Sequence, residues 1–135
     1  MTRFVIDAPT LLFLVRERAV VPPAHQLVAP NAIRSQAMTL LLHEVRRGEL
    51  SEREALKLHD RLTEMKMRLL GDRVSRRTAW QIAQEQQWDS LEDAEYVAVA
   101  RLQADALVTI DVDFARKVRG LVPVEPVTVL VAADR

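Results

Sequence analysis

Apolar residues along this chain fall into two rhythms: short unbroken runs, and stretches that repeat with a helical period. Phe4-Val5-Ile6 and Leu107-Val108-Thr109-Ile110 are unbroken runs, the pattern of strands buried on both faces of a parallel sheet. Gln26 to Ala29 reads as a short second strand before Pro30, and Val127 to Val131 as a last one. Thr10 to about Arg18 predicts a short helix, with Pro9 near its first turn, where proline is tolerated. From Asn31 to about Arg47, Ile33, Ala37, Leu40, Leu41 and Val45 keep helical spacing, and Gly48 supplies the stop. Ser51-Glu52-Arg53-Glu54 is a capping box. It predicts a helix to about Leu70, with Ala55, Leu58, Leu62, Met65 and Leu69 inward and Gly71 closing it. Further helices are expected from Ser75 to about Gln86, from Ser90 through Leu102, and from about Asp113 to Val118.

Strand, helices, strand, helix, strand is an α/β alternation. Helices outnumber strands, so a small parallel sheet covered by helices on both faces is expected. With 135 residues and no linker, repeat or low-complexity tract, the chain reads as a single domain, 1–135.

Composition changes this picture little. The chain is 49% hydrophobic and 28% charged, ordinary for a soluble globular protein. Only 4% of residues are aromatic, so the core must be built from aliphatic side chains and Met. Cysteine is absent, which excludes disulfides, thiolate chemistry and Cys-based zinc, and fits a cytoplasmic protein. Arg3 and the apolar run to Val15 resemble the start of a signal peptide, but Asp7 and Pro9 interrupt it, and it reads as strand plus helix. No segment is long and apolar enough to span a membrane.

Charge is more informative in its placement than in its sum. The formal net charge is zero, so a globally basic nucleic-acid footprint is absent. Sixteen of the 19 basic residues are Arg, the better fork for phosphate. Between Arg61 and Arg77 lie Arg61, Lys66, Arg68, Arg73, Arg76 and Arg77. That stretch is either a solvated helix face or a surface for phosphate or a partner.

Three acids mark element ends. Asp7 follows the first run, Asp111 follows Leu107–Ile110, and Asp93 lies in Ser90-Leu91-Glu92-Asp93-Ala94. Each has an ordinary explanation: Asp7 and Asp111 as helix N-caps, and Asp93 in a capping box with Ser90. Together they suggest more, because ligands bind beyond the carboxyl ends of parallel strands. Three acids gathered there would repel one another unless a cation or basic groups lay between them. Converged, they form an all-oxygen site for a hard divalent ion. Gln36 sits on or beside the buried face of its helix and needs a polar partner.

Four blocks in order carry a family resemblance over almost the whole length. They are Phe4-Val5-Ile6-Asp7-Ala8, Leu27–Pro30 with Ile33-Arg34-Ser35-Gln36, Ser90 to Ala100, and Thr109-Ile110-Asp111-Val112-Asp113-Phe114. The chain resembles the PIN-domain nucleases, and among them the VapC toxins of toxin–antitoxin pairs. The resemblance implies an α/β/α sandwich and an RNA-cleaving site holding Mg²⁺ or Mn²⁺ on Asp7, Asp93 and Asp111. It adds Asp113 and the neutral Gln36 as candidate ligands, and Thr109 as the residue orienting a carboxylate. Arg16, Arg34 and Arg116 are the candidate RNA contacts. A cognate antitoxin, a homodimer through helical faces near Leu56 to Leu70, and a cytoplasmic setting are also implied. The sequence departs from the family pattern at two places. Gln36 stands where the family carries an acid. Pro9 stands where it often has a small residue bonding the first Asp, for which Thr10 is a less well placed substitute. The first departure raises an alternative: a degenerate PIN domain that binds RNA or protein without cleaving. A phosphoacceptor receiver domain is the third reading, disfavoured because paired acids after the first strand are lacking.

Overall fold

The computed structural model describes residues 1–131. Five parallel strands form one sheet in the order β3-β2-β1-β4-β5. They are β1 (Thr2–Ile6), β2 (His25–Pro30), β3 (Arg68–Leu70), β4 (Ala106–Val108) and β5 (Val124–Glu125). Six helices connect them: α1 (Ala8–Arg16), α2 (Ile33–Arg46), α3 (Glu52–Glu64), α4 (Arg73–Gln86), α5 (Glu92–Gln103) and α6 (Val112–Val118). Helices α1, α2 and α3 pack together; α4 packs on α5, which lies against β1, β2 and β4.

The central strands are continuous apolar runs because both of their faces are covered. Val5, Ile6, Val28, Ala29, Leu107 and Val108 are fully buried, and Leu11, Leu14, Ile33, Leu62 and Val97 join the same core. Most helix ends follow local chemistry. Ser51 and Glu54 form the reciprocal capping box at α3, and Gly48, at φ 76°, takes the left-handed position after α2. Asp72 caps α4 by accepting from the Ser75 N–H at 2.8 Å, so that helix begins two residues before the expected Ser75.

Two expected elements are corrected. The helix from Ser51 ends at Glu64 instead of continuing to Leu70, and Arg68–Leu70 is the edge strand β3, paired with Val28–Pro30. The Arg34 guanidinium donates to the Met65 carbonyl at 2.9 Å, and more weakly to that of Leu62 at 3.5 Å, covering the end of α3. The expected strand Val127–Val131 is a 3₁₀ turn over Val127–Leu130. The strand is instead Val124–Glu125, paired with Leu107 and Val108, and Pro126 ends it. No helix among the described residues is long and apolar enough to cross a membrane.

Candidate active site

Strand order reverses beside β1: the chain builds outward to β2 and β3, then returns to β4 on the other side. Such a switch point leaves a crevice beyond the strand ends. Asp7 directly follows β1, and Thr109 and Asp111 follow β4, so chain topology alone brings them together. A cleft of about 540 Å³ opens there. Asp7, Glu92, Asp93, Asp111 and Asp113 line it, with Gln36, His43 and Lys117.

Asp7 is the floor. It is 5% exposed and caps α1. Its Oδ1 accepts from the Thr10 N–H at 3.2 Å and from the Thr10 hydroxyl, and its Oδ2 accepts from the Thr109 hydroxyl at 2.7 Å. Both hydroxyls also accept loop amides, Thr10 from Ile110 N–H and Thr109 from Asp111 N–H, each at 3.0 Å. One network therefore ties the end of β1 to the end of β4. Thr10 is fully buried and well placed, contrary to the expectation that it would serve Asp7 less well. Burial raises the pKa of Asp7; the Thr10 and Thr109 hydrogen bonds oppose that rise.

The other acids are held differently. Asp111 caps α6, its Oδ1 accepting from the N–H groups of Asp113 at 3.0 Å and Phe114 at 3.1 Å. Asp93 forms no capping box with Ser90; the Ser90 hydroxyl instead accepts from the Glu92 N–H at 3.4 Å. The Asp93 Oδ2 accepts from Lys117 Nζ at 2.6 Å. That ammonium also lies 4.5 Å from the Trp88 ring centroid, a cation–π distance. Gln36 reaches the cleft, and its Oε1 accepts from the Tyr96 hydroxyl at 2.5 Å. Tyr96 is 3% exposed, and burial, with Asp7 as the leading nearby charge, pushes its pKa up. It stays a neutral donor.

Of the candidate RNA contacts, Arg16 makes a bidentate pair with Glu44 at 2.7 and 2.8 Å. Arg34 is turned to the end of α3 instead of outward. Arg116 is largely exposed and lies 3.6 Å from Asp113.

The donor set suits a hard divalent cation by type, all carboxylate and amide oxygen. By spacing it does not yet do so: among the described residues, no three acids or histidines are gathered closely enough to hold an ion. Lys117 also engages Asp93, so a cation placed there would compete with its ammonium. Lys117, Tyr96 and Trp88 were not singled out from sequence for these roles. The signal for Lys117 was the mutual repulsion of the acids, which demanded a positive group between them. Tyr96 stands three residues after Asp93 on the same helical face.

The sheet order, helical layers and cleft together define a PIN-like α/β/α sandwich. Two solved structures share it. One is PAE2754 from Pyrobaculum aerophilum, with a TM-score of 0.62 and 20% identity over 94% of this chain and 92% of that one. The other is VapBC-1 from nontypeable Haemophilus influenzae, with a TM-score of 0.61 and 15% identity over 93% of this chain and 98% of that one. At these identities the likeness is one of fold. No protein-family model and no curated protein matches the sequence.

Proposed function

We propose that this chain is a divalent-metal-dependent endoribonuclease of the VapC toxin type. The observation that carries the reading is that Asp7, Asp93 and Asp111 open on one cleft at the carboxyl ends of β1 and β4. These three carboxylates would hold Mg²⁺ or Mn²⁺, with Gln36 Oε1 and Asp113 at the margin. A bound ion of this kind polarises a phosphodiester and makes the attacking water more acidic. Thr109 and Thr10 hold the Asp7 carboxylate in a fixed orientation. Tyr96 holds the Gln36 amide, and Lys117 neutralises Asp93 until RNA and cation enter. The likeness to VapBC-1 supports an antitoxin as partner. Of the Leu and Met positions from Leu56 to Leu70 expected to face a second copy, only Leu56 is exposed; Leu58 and Leu62 are buried in the core.

A second reading has its own observations. Gln36 is neutral and engaged by Tyr96, and Asp93 is engaged by Lys117. Both favour a non-catalytic RNA- or protein-binding domain. Cleavage of single-stranded RNA separates the two. The ribonuclease reading expects cleavage that EDTA stops, Mn²⁺ restores and Asp93→Asn largely removes. RNA that stays intact in every divalent ion tried would overturn it in favour of the binding domain.

A further inference from the structure

The outward face of α4 has no part in the reading above. Arg73, Arg76, Arg77, Trp80 and Gln81 fall at i, i+3, i+4, i+7 and i+8, so they share one side of the helix. Ser75, Ala79, Ile82 and Ala83 are buried on the other. With Leu91, those five residues line a groove of about 420 Å³. Trp80 is 60% exposed. Arg76 is steadied by donating to the Gly71 carbonyl at 2.6 Å. Among the described residues, none of the three arginines is in an ion pair. In a chain with no net charge, this is a local positive field beside a bare indole. Guanidinium forks match phosphate, and every base has a face that stacks on an aromatic ring. Leu91, which lines the groove, immediately precedes Glu92 and Asp93, which line the acidic cleft. Groove and cleft therefore both draw lining residues from the start of α5.

We propose that this face of α4 binds a single-stranded RNA segment flanking the cleft, with Arg73 and Arg77 on backbone phosphates and Trp80 stacked on a base. The proposal rests on the ribonuclease reading for its choice of RNA over an acidic protein segment. The three guanidinium groups and the exposed indole, with consecutive residues lining groove and cleft, favour RNA.

The test is fluorescence anisotropy with labelled oligouridine of about twelve nucleotides, within the usual span of single-strand sites. It is run in EDTA, so that cleavage does not intervene. Trp80→Ala is expected to weaken binding about tenfold, while Trp80→Phe keeps most of it. Arg73→Gln with Arg77→Gln is expected to reduce the slope of log affinity against log salt by about 1.4, at about 0.7 per phosphate contact. Circular dichroism melts check that all variants fold. If the variants bind RNA as wild type does, the groove is not an RNA path, while Mn²⁺-dependent cleavage still stands or falls separately. Loss of binding to polyglutamate, with RNA affinity unchanged, would make the face a protein-docking surface and overturn the proposal. A wild type that binds no RNA with or without Mg²⁺ overturns both readings.

Discussion

Burial and hydrogen bonding pull the Asp7 carboxyl in opposite directions, and burial is the larger effect. A carboxyl whose folded pKa lies above its unfolded value binds its proton more tightly in the folded chain. The stability it contributes is complete below the ordinary value and is lost as pH rises through the raised one. Asp7→Asn has the same shape and still caps α1. In EDTA, the variant should melt above wild type at neutral pH, and the gap should close as pH falls towards the ordinary Asp value of 3.8. A variant that melts lower at neutral pH would mean that the threonine bonds outweigh burial. Lys117 makes a companion case. Lys117→Met keeps an apolar stem on Trp88 and removes the charge from Asp93. Calorimetric titration with Mn²⁺ should then give a few-fold tighter affinity, about the worth of a half-exposed ion pair. An unchanged affinity would mean that Lys117 does not compete for the site.

Helix α3 shows how an element ends by tertiary rather than local means. Its expected period ran on through Met65 and Leu69, yet Arg34 from α2 covers its final carbonyls and the chain turns into β3. Arg34→Met should therefore lower the urea midpoint by a loss of about 1.5–3 kcal/mol, the worth of a charged hydrogen bond. RNA affinity should be unmoved; a fall in affinity at full stability would return Arg34 to the list of RNA contacts. The same contrast explains what was readable in the sequence. Ser51 with Glu54, and Gly48, act over three or four residues, so they could be read directly. A three-residue edge strand is set by its partner β2, some forty residues away. The run Val127–Leu130 has strand-like composition, but only Leu130 is buried, and Pro126 turns the chain out of the sheet.

At the scale of the molecule, the order β3-β2-β1-β4-β5 sets Asp7 and Asp111 at adjacent strand ends, and α5, lying against β1 and β4, carries Asp93 to the same cleft. Their position at strand ends and a helix start was legible because apolar runs stop there. The side chains that modulate them were not: Lys117 and Tyr96 matter through contacts across 24 and 60 residues. Gln36 tests the cleft as a whole. Gln36→Glu can still accept from Tyr96, and it adds another negative charge to an acidic cleft. Without metal, the variant should melt lower than wild type. With Mg²⁺, it should gain more than wild type does, because the ion binds only the folded state. RNA cleavage should rise in parallel. Indifference in melting, Mg²⁺ response and cleavage would remove Gln36 from the site.

The hydroxyls of Thr10 and Thr109 each donate to Asp7 and, through a lone pair, accept a loop amide beyond β4, from Ile110 and Asp111 respectively. The chain ends of β1 and β4 are thereby laced together. Asp93 and Lys117 stand on two separate helices, joined by this half-exposed ion pair and by the edge-to-face packing of Tyr96 on Phe114. The base of the cleft is thus cross-linked between neighbouring strand ends, whereas its wall carries an ion pair within reach of solvent and of salt.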